Sequence, residues 1–212
     1  VISSSGESFC AGADLKWMRR AAAYSEQENV RDAKTMANLF NTLNQLPKPT
    51  VARVQGPAYG GGVGLVACCD IAIATFDAQF AFSEVRLGII PGVIAPYVIA
   101  AIGERRARRY MLSGERFSAS EAYRIGLLHE IVPSDEELDN AIGEVVDDLL
   151  AGSPQAHDQC KSLIRAVTGK PVTDQLIEET SRRIARARAG EEGREGIAAF
   201  LENRRPWWFA GQ

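Results

Sequence analysis

The 212-residue sequence is poor in the residues that announce metal or redox chemistry. It has two histidines, His129 and His157, with no metal-ligand spacing, and both read as structural. Of the four cysteines, Cys68 and Cys69 are adjacent and would close a strained ring, and none forms a C-x-x-C motif with another. Cys10, Cys68, Cys69 and Cys160 therefore read as buried or idle thiols of a reducing compartment, with no metal site expected. Excess charge of one sign is also lacking. The 24 basic and 27 acidic side chains leave a net charge of −3, so no overall positive field draws nucleic acid or anionic lipid. No apolar run approaches the ~20 residues of a membrane-spanning helix. The opening Val1-Ile2-Ser3-Ser4-Ser5-Gly6 lacks the charged-then-apolar pattern of an export leader, so the expected location is the cytoplasm. It reads instead as the tail of a strand running into a turn, and N-terminal strands are expected to be missing from the chain.

What remains is an ordinary globular composition, 46% hydrophobic and 24% charged. From Ser25 to Leu46 the residues Val30, Ala33, Met36, Ala37, Phe40 and Leu43 recur at three- and four-residue spacings, predicting a helix that Pro47 and Pro49 end. Thr50 to Val54 reads as a short strand, followed by the run Gly60-Gly61-Gly62 and a helix-compatible stretch to Cys69. Asp70 to Ala74 is nearly all apolar, as a strand covered on both faces would be. Ser118-x-x-Glu121 is a capping box, and Gly126 is placed to end the helix it opens. Leu127 to Val132 reads as one more strand. After Pro133 helical patterns run from Asp135 to Ala151, Pro154 to Val167, Asp174 to Ala187 and Glu191 to Arg204. The expectation is an α/β core over residues 1–133 and a helical subdomain over 134–212.

Two small-residue segments each follow a strand and lead into a helix: Phe9-Cys10-Ala11-Gly12-Ala13-Asp14-Leu15 and Gly60-Gly61-Gly62. Glycines at such a junction let backbone N–H groups approach a ligand, with a helix N-terminus behind them. The run is neither G-x-G-x-x-G nor a P-loop, and a tight packing turn explains it equally well on its own. Two segments of this kind have the makings of an oxyanion hole, one N–H from each. Glu84, in Ser83-Glu84-Val85-Arg86, follows a short apolar strand. On its own a solvated strand end explains it best, though beside Phe82, Val85 and Ile90 its pKa would rise toward the range useful for proton transfer.

Ser8 to Leu15, Lys48 to Gly62, Cys69-Asp70-Ile71, Gln79 to Gly88, Pro91-Gly92, Leu112-Ser113-Gly114 and Glu195 to Glu202 occur in that order. In these motifs the chain resembles the enoyl-CoA hydratase/isomerase, or crotonase, superfamily over nearly its whole length. The resemblance implies a spiral of ββα units with a C-terminal helical region, assembled as a homotrimer or a dimer of trimers. The substrate it implies is an acyl-CoA thioester, with coenzyme A part of the substrate and no separate cofactor. By position, the N–H groups of Ala13 and Gly61 would hold the thioester oxygen and Glu84 would be the catalytic acid/base. Ala11, Asp14, Leu15, Lys16, Trp17, Gly60, Gly64, Arg86, Pro91 and Gly92 would line the substrate site. Lys16, and at the tail Arg204 and Arg205, are candidates for the CoA phosphates.

One departure matters. Typical hydratases of the family carry a second glutamate three residues beyond the middle glycine, where this chain has Gly64. A lone carboxylate at the Glu84 position is common among the family's isomerases. The stretch Asp14 to Met18, Gly64 and Pro91 to Val98 instead resembles a bacterial branch of hydratases acting on glutaconyl-type esters, in leucine and acyclic terpene breakdown. Val93-Ile94-Ala95 replaces the more usual Ala-Gly-Gly, implying a differently shaped acyl pocket, and Arg86 or Arg53 would pair with the distal carboxylate of such a substrate. Hydratase is the first expectation and Δ3,Δ2-enoyl-CoA isomerase the second. A non-catalytic acyl-CoA or RNA-binding member is the third, its RNA version opposed by the acidic pI. Trp207-Trp208-Phe209 is expected either at a subunit interface or docked within the chain.

Overall fold

The computed structural model describes residues 1–209. Two compact units divide the chain, one of residues 1–45 and 50–143, the other of 46–49 and 144 onward. In the first unit the chain steps back and forth between two small sheets. Strands β1 (Val51–Val54), β3 (Ile71–Thr75) and β6 (Glu130–Val132) form one sheet in the order β1-β3-β6, all parallel. Strands β2 (Ala58–Tyr59), β4 (Gln79–Ala81) and β5 (Arg116–Ser118) form the other, with β2 and β4 parallel and β5 antiparallel to β4. The stretch before β1 follows the same rule, since Ile2 bridges Ala52 in the first sheet and Cys10 bridges Ala58 in the second. Each pass ends in a helix: α1 (Leu15–Ala21) and α2 (Glu26–Gln45), then α3 (Gly61–Cys68), then α4 (Ala95–Ile102) and α5 (Glu104–Ser113), then α6 (Ala119–Ile125). This is the ββα spiral expected from the resemblance.

Small residues make the spiral tight. Ala52, Ala58, Ala72, Ala74, Ala78, Ala119 and Ala122 are all fully buried, so neighbouring backbones approach without a side chain between them. Aromatic packing fills the larger gap, with Phe117 stacked 5.7 Å from Phe80 and tilted 4.4 Å from Tyr110. The Tyr110 hydroxyl donates to Glu121, which also pairs with Arg124, and these contacts, Arg124 first, hold the Glu121 carboxyl down to about 2. Ser118 caps α6 by accepting from the Glu121 N–H, and Gly126 closes it at φ +89°.

Helix α7 (Asp135–Ala151) carries the chain out of the first unit, and α8 (Pro154–Val167), α9 (Asp174–Ala189) and α10 (Glu191–Leu201) follow. The buried carboxylate of Glu192 accepts from the Ser153 hydroxyl and the Gln155 N–H, joining α10 to the start of α8. Trp208 lies over Gly196 and donates its indole N–H to Ala151, so this ring docks within its own unit, while Trp207 is 58% exposed. Strand β6 is shorter than the Leu127 to Val132 reading, because the N–H groups of Leu127 and Leu128 bond back to Ala122 at the end of α6. The last helix stops at Leu201, short of the expected Arg204, and Asn203 turns at φ +52°.

A reciprocal clasp starts both first strands of the parallel sheet. The Asp70 carboxylate accepts from the backbone and hydroxyl of Thr50 at 2.7 and 2.9 Å, and the same hydroxyl accepts from the Asp70 N–H at 3.0 Å. Thr50 is buried, so removing the carboxylate strands its donors. Asp70→Ala is expected to cost about 1–3 kcal/mol and to lower Tm by roughly 2–4 °C per kcal/mol in a thermal melt. An unchanged Tm would show the clasp to be dispensable.

Candidate active site

Backbone pairing delivers both glycine turns to one place. The Cys10 N–H donates to Pro57 at 3.1 Å and the Tyr59 N–H donates to Cys10 at 2.9 Å, which sets Gly12 and Ala13 alongside Gly60 and Gly61. The fit admits no side chain at its closest point. A Cβ on Gly62 would stand 2.7 Å from Cβ of Cys10 and 2.8 Å from its carbonyl oxygen. Gly12 and Gly60 turn at φ +104° and +52°, in the region that glycine enters without strain.

The amides of Ala13 and Gly61 donate to no group among the described residues. Gly61 is the first residue of α3, where helix N–H groups have no intrahelical partner and face outward with the positive end of the dipole. Two unpaired donors on adjoining turns suit an oxygen on which negative charge develops.

Glu84 stands in a single 3-10 turn, Ser83–Leu87, directly after β4, closed by Gly88 at φ +73°. Its Oε1 lies 2.9 Å from where a Cβ on Gly60 would be, so the carboxylate rests on the residue preceding the Gly61 donor. Oε2 is buried and has no hydrogen-bond partner. Burial pushes the Glu84 pKa up, outweighing a backbone hydrogen bond that lowers it. Phe82 is fully buried, whereas Val85 and Ile90, also expected to shield the carboxylate, are 40% and 79% exposed.

The remaining expected residues fall into distinct positions. Ala11, Asp14, Leu15 and Lys16 are exposed on the turn and start of α1. Asp14 is the N-cap of α1, accepting from the Trp17 N–H at 2.7 Å. The indole of Trp17 donates to Asp32 of α2 at 3.1 Å, which ties down a helix with no buried residue. Gly64, on α3, is buried against Ile94 and Phe40. Pro91 and Gly92 form the approach to α4. Arg86 lays its stem over Gly114 and makes no ion pair among the described residues. Arg53, the other candidate for a distal carboxylate, is held by Asp139 at 2.5 Å and Asp135 at 3.6 Å. Arg204 is likewise engaged, by Glu195 and Glu202, and Arg205 lies over the ring of Phe209. Phe40, read from the sequence only as one residue of an apolar helix face, contributes a ring 3.7 Å from the Cβ position of Gly61.

The enoyl-CoA hydratase/isomerase family model matches residues 1–211. The chain belongs to that family. An enoyl-CoA hydratase from Shewanella pealeana superposes with a TM-score of 0.94 at 46% identity, covering 97% of this chain and 77% of that one. Pseudomonas aeruginosa AtuE superposes with a TM-score of 0.88 at 37% identity, covering 95% and 78%. The mevalonyl-coenzyme A hydratase sidH of Aspergillus fumigatus is 35% identical over 216 residues, 98% of this chain and 76% of that protein. The spiral is the crotonase fold. Among the described residues this member of the hydratase/isomerase family has no cluster of His, Cys, Asp and Glu able to hold a metal, and no helix long and apolar enough to cross a membrane. His129 accepts the Ala72 N–H at its Nδ1, a role within the sheet.

A carboxyl whose folded pKa is raised adds stability that is fully present below its unfolded pKa and is lost as pH rises through the folded value. The protonated Glu84 is the form the fold favours. Glu84→Gln is therefore expected to be more stable than the parent at pH 7, with the difference closing below about pH 4. Equal stability of the two at pH 7 in urea melts would contradict the burial of this charge.

Proposed function

We propose that the protein adds water across the double bond of an α,β-unsaturated acyl-CoA thioester. What supports the reading is a buried, half-unpartnered carboxylate, Glu84, against Gly60, the residue before the Gly61 amide, together with N–H groups at Ala13 and Gly61 that donate to no described group. In this reading the two amides bind the thioester oxygen. Glu84 takes a proton from water as its oxygen bonds to the β-carbon, and electrons move through the chain to give an enolate. The same carboxyl then returns a proton to the α-carbon, so the product is the substrate plus one water and the carboxylate is regenerated. Fixed neutral donors stabilise the transient charge without reorganising, each contributing about 3 kcal/mol. Desolvation makes Glu84 a stronger base than an exposed carboxylate, which suits it to both proton transfers.

Gly64 favours a second reading. With one carboxylate the same residues serve double-bond isomerisation, in which a proton leaves one carbon and returns to another two bonds away. Incubation with 2-enoyl-CoA and 3-enoyl-CoA esters separates the two by mass. Gain of one water from the 2-enoyl ester is expected; interconversion of the esters without mass change would replace hydratase by isomerase, and inertness toward both would leave a binding protein. Glu84→Gln is expected to lower turnover by about 10²–10⁴-fold, and retention of a tenth or more would remove Glu84 from the proton-transfer role.

For the acyl group we propose a branched, glutaconyl-type ester. Since Arg53 is occupied by Asp139, Arg86 is the cation available of the two, and a buried distal carboxylate without a partner would cost several kcal/mol. The expected result is a kcat/KM for 3-methylglutaconyl-CoA at least about tenfold above that for crotonyl-CoA, about 1.4 kcal/mol of discrimination, lost in Arg86→Met. Equal values would leave a generalist. The reading also carries a homotrimer or a dimer of trimers in the cytoplasm, which sedimentation at micromolar concentration tests; a stable monomer would overturn it.

A further inference from the structure

The first turn of α3 has the amide donor of Gly61 at its start and Gly64 three residues later on the same face, and the ring of Phe40 lies against both. Gly64 takes no positive φ, so its backbone asks for no glycine. What excludes a side chain is packing. A Cβ on Gly64 would stand 2.2 Å from Cγ2 and 2.9 Å from Cβ of Ile94, and 3.0 Å from Cε1 of Phe40. Ile94 and Phe40 are 1% and 3% exposed, and both belong to the main apolar cluster. Neither has free space into which to withdraw, because interiors are packed near crystal density. Ile94 is also the residue that caps the start of α4, a place where its bulk does nothing for the helix and where glycine is tolerated.

The geometry points to Ile94 as the residue that holds this site to a single carboxylate. Its side chain takes most of the volume that any side chain at position 64 needs, with the Phe40 ring only at the edge of contact, so a change at 64 requires one at 94. A carboxylate placed at 64 with Ile94 present meets an apolar wall and loses its hydration without a partner. With Ile94 cut back to glycine, the same carboxylate gains a route into the space beside the Gly61 donor. The inference builds on Glu84 as the acid/base group, but its packing half stands independently of any activity.

A four-variant melt tests that half: parent, Gly64→Ala, Ile94→Gly, and the pair. Gly64→Ala is expected to lower Tm by about 5 °C or more in the parent and to be neutral or stabilising in the Ile94→Gly background, a coupling of opposite sign. An equal effect of Gly64→Ala in both backgrounds, or its tolerance in the parent, overturns the proposal. Should Ile94→Gly alone fail to fold, recovery of folded protein on adding Gly64→Ala supports it and continued failure of the pair overturns it. The catalytic half is read from the pH profile of crotonyl-CoA turnover. Gly64→Glu with Ile94→Gly is expected to show a second ionisation that Ile94→Gly alone lacks; a profile identical to that of Ile94→Gly would show that position 64 does not reach the reacting atoms. Loss of activity in Glu84→Gln has no bearing on the melt, so failure of the functional reading and failure of this one are told apart.

Discussion

The site depends on two backbone hydrogen bonds, from Cys10 to Pro57 and from Tyr59 to Cys10. They join segments almost fifty residues apart and set their register, so two turns that are each unremarkable are brought side by side, each with an amide that donates to no described group. Register in a parallel bridge is all-or-none: a slip of one residue would exchange the glycines for their neighbours and turn the amides aside. Gly62 protects that register, because nothing larger fits against Cys10. Preorganised donors are effective because the fold fixes their direction before any substrate arrives.

Glu84 is placed by a different means. Its 3-10 turn leaves β4 abruptly, and the carboxylate lands on glycine, the surface that offers closest approach and no polar side chain, leaving Oε2 buried without a hydrogen bond. The resulting isolation costs the fold the burial of a charge, and raised carboxyls of this kind are common at sites of acid/base chemistry. Among the described residues Glu84 makes no ion pair, and Arg86, two positions on, lays its stem over Gly114.

Local rules carried much of the fold. The capping box at Ser118, the αL glycine at 126, the prolines after α2 and the apolar run of β3 each act within a few residues, and each lies where the sequence placed it. The helices after Pro133 were legible because each has a regular apolar period. By contrast α4, α5 and β5 carry no such local signal. The sequence of α4 is apolar almost throughout, with Pro96 near its start, and α5 is so rich in arginine that only Ala107 and Tyr110 mark its inner face. Strand β5 is three residues long and exists only because β4 pairs with it. The site divides in the same way. Glycine turns and the glutamate are visible as motifs, but the Arg53 ion pair and the fit of Ile94 against Gly64 link positions 30 to 86 residues apart and leave no trace in either neighbourhood.

The stepwise path of the spiral has a consequence for how such an enzyme diversifies. Ala13, Gly61 and Glu84 issue from three successive passes of the chain, each from a short turn at the end of an extended segment, while the approach to α4 at Pro91–Gly92 belongs to the last of them. In the proposed reaction the grip on the thioester and the wall facing the acyl group would thus come from separate loops on a common frame. On that reading, mutation of Pro91–Gly92 and its surroundings would redraw the wall without touching the bridges that set the two amides, while a change at Ile94 would be felt at Gly64.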